Sequence, residues 1–359
     1  MRLMDVMTTY LYILFDTDIY MKIPEGLKLP KSCKVSSREH CLIILNKSLY
    51  GLKQSGRMQY NHLRTPDLGK TKICLGLQIE HLKDGILVHQ ETYIEKVLKR
   101  SYMDKSHPLS TPMVVRSLDV EKDHFRPPTD DEDILGPEVP YLSAIGALMF
   151  LAGHTRPDIS LFKFISEIQF MSYKETLEWS TKDLGLYFAN PSKGSLYGFA
   201  DAGYLSDPHT GRSQTGYVFT IGGTAIPWCS TKQTMVATSS NHVEILAIHE
   251  ASRECLRNVI QHIRRSCGIV SDKEPPTVLY EDNAACIAQL KEGYIKGDRT
   301  KHILPKFFFT HDLQKSGDIS IQQVCSCENL ADLFTKSLLN STFQTLVHGI
   351  GMRRLKDLK

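Results

Sequence analysis

What this sequence has little of narrows it first. Across 359 residues there are only two tryptophans, and 43 basic side chains nearly cancel 40 acidic ones, leaving a net charge of +3 with 14 histidines uncounted. So mild a basic excess suits a nucleic-acid partner without demanding one. No Cys-x-x-Cys pair occurs: the nine cysteines are scattered, and only Cys325 and Cys327 are near neighbours. An odd number at irregular spacing argues against a disulfide framework or zinc ribbon and predicts reduced thiols in an intracellular chain. No apolar run approaches the ~18 residues that cross a bilayer, so no membrane association is expected. The apolar run at 10–15 follows Arg2 and Asp5 and lacks a small-residue cleavage site, which argues against a secretory leader and for a cytoplasmic or nuclear location. What is present, 42% hydrophobic and 23% charged residues, suits roughly two domains of ~150 residues each.

The most informative stretch is 196–244. A run from Leu196 to Ala202 reads as a strand that ends in the carboxylate of Asp201. A second run, from Thr215 to Ile221, leads into Gly222-Gly223, a two-residue hairpin signal. The third, from Thr224 to Cys229, contains Pro227, which lacks a backbone donor and belongs on a sheet edge or bulge. The period then changes. Val243, Ala247, Ala251, Cys255, Val259 and Ile263 recur every four residues, as on one face of a helix, with Glu244 in its first turn. A further strand, 277–280, runs into Asp282, and Asp332 lies on the last predicted helix.

In an α/β sheet, strand ends and helix starts meet along one rim, where ligands bind. Asp201, Glu244, Asp282 and Asp332 brought to that rim would repel one another unless cations lay between them. Two Mg2+ ions about 3.5–4 Å apart, with Mn2+ as a substitute, are the usual solution. No small-molecule cofactor is expected. Each acid also has a local reading. Asp201 beside Gly203 suits turn chemistry. Glu244 suits a capping box from Asn241. Asp282 suits a cap for the helix that begins near Asn283. Asp332, off the apolar face of Leu330, Leu333 and Phe334, suits a solvated acid. Glu281 adjoins Asp282, but strand alternation points it to the opposite face.

Elsewhere the chain is plainer. Ile73, Leu75, Leu77 and Ile79 alternate, Asp84-Gly85 turns, and Tyr93, Ile94, Val97 and Leu98 mark a helix face whose cations Lys96, Lys99 and Arg100 are either solvated or set against phosphate. Residues 119–140 carry eight acids, two bases and four prolines, a composition that buries too little apolar surface to fold alone. Lys296, Arg299, Lys301, Lys306 and Lys315 make 291–315 basic, and Tyr294 with Phe307, Phe308 and Phe309 adds aromatics, as in a nucleic-acid-binding face or a core-facing helix.

The segments Tyr20–Gly26 and Ser48–Arg57 resemble the fingers and palm of a copia-type retrotransposon reverse transcriptase. The match extends through Tyr141–Gly146 and Thr155–Ile159, which resemble the connection region. From 196 onward Ala200-Asp201-Ala202-Gly203, Ser213-Gln214-Thr215-Gly216, Ser230-Thr231-Lys232-Gln233, Glu281-Asp282-Asn283 and Ala331–Lys336 resemble the family's ribonuclease H domain. The resemblance implies an α/β chain, α+β in its N-terminal part. A ribonuclease H-like mixed five-stranded sheet with flanking helices would follow an incomplete reverse-transcriptase palm and thumb. It further implies a palm and thumb remnant at 1–103, an acidic linker at 104–140, a connection remnant at 141–190, the ribonuclease H-like domain at 191–340 and a tail at 341–359. Asp5 stands where the family binds polymerase magnesium, but the Tyr-Val-Asp-Asp segment that supplies two more carboxylates is missing. A lone aspartate cannot hold two ions for phosphoryl transfer, so Asp5 is a vestige and polymerase activity is expected to be lost. The four acids would then be the metal ligands and catalytic residues of an RNA–DNA hybrid endoribonuclease. Ser213, Gln214, Lys301, His302 and Lys306 would be candidate contacts to the hybrid. The alternative is a catalytically inert nucleic-acid-binding remnant.

Overall fold

The computed structural model describes residues 14–22, 42–47, 70–101, 111, 141–161, 182–190, 196–207, 209–255, 276–294, 301 and 303–359. The expectations placed on Asp5, His302 and the acidic stretch 119–140 lie outside the described residues. Two compact units divide the chain at residue 75.

In the first unit, β1 (Leu14–Lys22) and β2 (Leu42–Lys47) pair antiparallel, with Ile19 opposite Leu45 and Lys22 opposite Leu42. A two-residue strand, β3 (Ile73–Cys74), follows. The alternation expected from Ile73 onward fails at Leu75, whose φ of 51° puts an exposed β-branch-free side chain in the left-handed region.

The second unit opens with the hairpin that Asp84-Gly85 predicts, β4 (Leu77–His81) against β5 (Gly85–His89). Helix α1 (Glu91–Arg100) buries Ile94 and Val97, as its apolar stripe requires. Helix α2 (Tyr141–His154) ends at a buried polar turn, where Arg156 Nε lies 3.0 Å from Asp158 Oδ1 and Nη2 lies 3.1 Å from Oδ2. Strand β6 (Leu184–Ala189) then pairs antiparallel with β5.

Three antiparallel strands follow: β7 (Leu196–Asp207), β8 (Arg212–Ile221) and β9 (Thr224–Lys232). Gly222 and Gly223, with φ of 58° and 80°, supply the two left-handed residues a tight hairpin needs. Pro227 sits on β9, the edge strand, where its missing donor costs no ladder bond inside the sheet. Helix α3 (Ser240–Cys255) crosses back and buries Val243, Ala247, Ala251 and Cys255. Strand β10 (Thr277–Glu281) runs parallel to β7, and after α4 (Ala284–Glu292) and α5 (Leu304–Ser316) strand β11 (Ile319–Gln323) runs parallel to β10. The order β11-β10-β7-β8-β9 is a mixed five-stranded sheet with flanking helices, the ribonuclease H-like architecture. The chain closes with α6 (Asn340–Gly349), β12 (Met352–Arg354) and α7 (Leu355–Leu358). Among the described residues no helix is long and apolar enough to cross a membrane.

Strand alternation splits the core in two. Phe219, Leu279, Ile245, Ile248, Leu290 and Phe307 pack on the face covered by α3, α4 and α5. Val218, Leu333 and Phe334 pack on the other face with Ile94, Leu148, Leu151, Leu186, Leu346 and Met352. The second cluster ties the sheet to α1, α2, β6 and α6, and Trp228 Nε1 donates to Ala152 O at 2.7 Å across the same contact. Residues 341–359 are therefore structural: β12 pairs with β6, and Phe343, Leu346 and Val347 are buried.

A fragment starting at residue 191 loses Leu148, Leu151, Leu184 and Leu186 from that cluster. At about 1.5–3 kcal/mol for each fully buried aliphatic side chain, it should unfold at a clearly lower urea midpoint than residues 76–359. Equal midpoints would show that the second face stabilises nothing.

Candidate metal centre

Strand β7 carries Asp201, and its partner in the antiparallel register is Gly216 of β8. The strand does not end at Asp201, as the run of apolar residues suggests, but continues to Asp207 through an irregular register after Gly203. The rim is set instead by β10, which stops at Glu281. Its parallel register pairs Tyr280 with Phe199, and two residues further on Asp282 comes level with Asp201. Glu244 reaches the same place from the second turn of α3, whose small Ala247 and Ala251 let the helix lie close against the sheet.

The caps free these acids from their local roles. Ser239 Oγ, not Asn241, accepts the amide of His242 at the start of α3, and Asn241 Nδ2 donates to Gln289 Oε1. Asn283, not Asp282, caps α4, accepting the amide of Cys286 at 3.0 Å. One carboxylate oxygen each from Asp201, Glu244 and Asp282 lies within 4.8 Å of the others. Glu244 is only 7% exposed, and its Oε2 has no hydrogen-bond partner among the described residues. An oxygen-only cluster with a buried, unsatisfied carboxylate oxygen fits a hard divalent cation of the magnesium or manganese type.

Asp332 lies on a five-residue 3-10 turn, Leu330–Phe334, not on the helix expected there. Asn329 caps the turn through Ala331 N and anchors it to β7, donating to Ala200 O at 2.9 Å. Gly216 lets the turn approach: a Cβ there would meet Thr335 Cγ2 at 2.6 Å and Phe334 Cβ at 2.7 Å. Two residues of the Ala331–Lys336 motif that had been given no role now enter the site. Thr335 Oγ1 donates to Asp201 Oδ2, and Lys336 Nζ lies 3.0 Å from Asp201 Oδ1 and 2.8 Å from Asp332 Oδ1.

A third is Glu281. Alternation does turn it to the Leu279 face, but α3 brings Glu244 to that face. Glu281 is fully buried, accepts the Asn283 amide at 3.2 Å through Oε1 and leaves Oε2 without a partner among the described residues. Burial, then the charges of Asp201 and Asp282, push its carboxyl well above the usual range. Burial, then Glu281, Asp201 and Asp282, push Glu244 up to about 11. Burial, then Asp201, raise Asp332 to about 7 against the opposing pull of Lys336. Burial lowers the Lys336 ammonium, but Asp201 and Asp332 outweigh it and hold its pKa above the usual lysine value.

The other candidates have partners or surroundings of their own. Ser213 is buried in β8, where its Oγ accepts the Leu205 amide at 3.1 Å. Gln214 is buried beside it and donates to Ser230 Oγ at 2.8 Å. Both side chains bond inward, to groups of the same sheet. Lys301 is exposed, and Lys306 pairs with Glu250 at 3.3 Å. Of the aromatic run, Phe307 is core while Phe308 and Phe309 stay partly open at 46% and 37% exposure, so only one of the three is held by the core.

A sheet of this order carrying acids on its central strand and on both flanking elements defines the ribonuclease H-like class. No protein-family model matches the chain. It is 28% identical to the retrovirus-related Pol polyprotein from transposon TNT 1-94 of Nicotiana tabacum, over 421 positions covering 97% of this chain and 30% of that protein. That alignment is longer than this chain, so the tobacco protein has residues within it that this chain lacks. The Pol polyprotein from transposon RE1 of Arabidopsis thaliana is also 28% identical, over 78% of this chain and 19% of that protein. A 128-residue match, 38% identical, covers 33% of this chain and 90% of the secreted RxLR effector protein 161 of Plasmopara viticola. Among solved structures, the N-terminal RNase H domain of Rv2228c from Mycobacterium tuberculosis, fused to maltose binding protein, is 13% identical with a TM-score of 0.28, covering 44% of this chain and 98% of that one. The chain is similar over most of its length to retrovirus-related Pol polyproteins of transposons, and it spans less than a third of the tobacco relative's length.

Raised carboxyl pKa values have a definite sign in stability. A protein without divalent ions keeps protons on Glu244 and Asp332 that the unfolded chain has already released above its ordinary carboxylate range. Folding is then favoured at low pH, and this contribution is lost as pH rises through about 7 for Asp332 and on toward about 11 for Glu244. In chelator, the melting temperature should fall between about pH 5 and about pH 8, and Mg2+ should flatten that slope. A flat profile in chelator would contradict the buried acid cluster.

Proposed function

We propose that this Pol fragment hydrolyses the RNA strand of an RNA–DNA hybrid with divalent ions, Mg2+ or Mn2+, and that its reverse-transcriptase part does not polymerise. One observation carries the reading: three buried or half-buried carboxylates whose oxygens lie within 4.8 Å, one of them with an unsatisfied oxygen. Asp201, Glu244 and Asp282 would hold one ion, and Asp201 with Asp332 would hold a second. Bound there, such ions supply an acidified water as nucleophile and positive charge for the leaving oxygen of a phosphodiester.

The chain's own residues do the rest. Asp201, shared by both sides, fixes their separation, and its backbone is held in the β7–β8 ladder. Asn329 and Gly216 set the height of the Asp332 turn over the sheet. Asn283 fixes the direction in which Asp282 leaves β10. The lost polymerase function rests on the absence of the Tyr-Val-Asp-Asp carboxylates from the sequence.

A 5′-labelled RNA–DNA hybrid incubated with the full chain and Mg2+ should be cut within its RNA strand. Asp201→Asn should lower the rate by about 100-fold or more while leaving the melting temperature within a few degrees. Hybrid bound by both proteins and cut by neither would mean an inert binding remnant. The full chain should not extend a DNA primer on an RNA template in the same buffer, and any extension product would refute the loss of polymerase function.

A further inference from the structure

Asp332 stands apart from the ion-binding trio. Among the described residues, the carboxylates whose oxygens cluster within 4.8 Å are Asp201, Glu244 and Asp282, and Asp332 is not one of them. Its link to Asp201 runs through the Lys336 ammonium, which sits between the two, 3.0 Å from Asp201 Oδ1 and 2.8 Å from Asp332 Oδ1. The ammonium thus bridges the two carboxylates that would hold a second cation. The donor is also local to one of its acceptors. Lys336 follows Asp332 by four residues, and Thr335 between them holds the other oxygen of Asp201. The Lys336 side chain is 38% exposed, so its flexible stem has an open path toward solvent.

We propose that Lys336 holds the place of the second cation: the resting chain takes a single divalent ion at Asp201, Glu244 and Asp282, and a second enters only when the tethered ammonium withdraws. This rests on the divalent-ion reading above and makes Lys336 a positioning residue. It acts through the charge it sets between Asp201 and Asp332. A permanent cation on a tether neutralises that pair without ion uptake, and it opposes a further positive charge at the same oxygens by like-charge repulsion.

Calorimetric titration of Mn2+ into the full chain tests this, with circular dichroism to confirm folding. The wild type and Lys336→Arg, which keeps the charge, should each take up a single ion. Lys336→Gln should take up a second, with an affinity about tenfold or more above any second uptake by the wild type. Two ions in the wild type with affinities unchanged in Lys336→Gln would overturn the proposal, as would no gain in Lys336→Gln. If Lys336→Gln does not fold, two ions in both the wild type and Lys336→Arg would overturn it, and one ion in each would support it. A wild type that binds its single ion yet leaves the hybrid intact would defeat the nuclease reading and leave this one standing.

Discussion

Carboxylates gathered out of water repel one another, and this repulsion is the constraint the C-terminal half is built around. Asp201, Glu244, Glu281 and Asp332 are all buried within a few side chains of each other, with Asp282 at the rim. In a medium of low effective dielectric such a group is tolerated only with compensation by protons, an ammonium or metal. Lys336 provides one positive charge from within the chain. Backbone amides at Asn283 and the hydroxyl of Thr335 add hydrogen bonds. The rest of the compensation must come from bound protons or ions, which makes the pH response and the ion response of this protein two views of one quantity.

The apolar framework exists to hold that unfavourable gathering in place. The two core clusters meet the sheet from opposite sides, through Phe219 on one face and Val218 with Phe334 on the other. Phe334 is itself part of the turn that bears Asp332, so packing and charge are set by neighbouring residues of one short segment. Close approach is obtained where side chains are smallest: Gly216 under the turn, Gly198 against Phe219 and Leu279, and the alanines of α3 against β7. Acids can be brought within ion-binding distance because the backbones carrying them are brought unusually near first.

Much of this was legible before any coordinates. Gly222-Gly223 named a hairpin because only residues tolerant of positive φ close one so tightly. Pro227 named an edge strand, and the four-residue stripe named α3. The acids singled out by motif converge for Asp201, Glu244 and Asp282. Less legible was anything set by what lies across an interface. Alternation turns Glu281 away from Asp282's face, yet gave no hint that α3 would bring Glu244 close to it. Lys336 lies four residues past Asp332, but its bond to Asp201 spans 135 residues of sequence, and no local pattern encodes it. The surroundings of Ser213 and Gln214 were not legible either, because a polar motif on a strand looks alike whether it faces solvent or bonds inward, as here to Leu205 and Ser230. The 3-10 turn at Leu330–Phe334 resembled a helix because five residues are too few for a period to distinguish the two.

The pairing of β12 with β6 carries a consequence for biosynthesis. Met352, Arg353 and Arg354 lie opposite Leu186, Gly185 and Leu184, and Met352 is buried in the cluster that also holds Ile94 and Leu148. A nascent chain therefore cannot finish this layer until Met352, Arg353 and Arg354 have been made, and β6 waits with an open hydrogen-bonding edge until they emerge. That unprotected interval is when the chain is most exposed to intermolecular strand pairing.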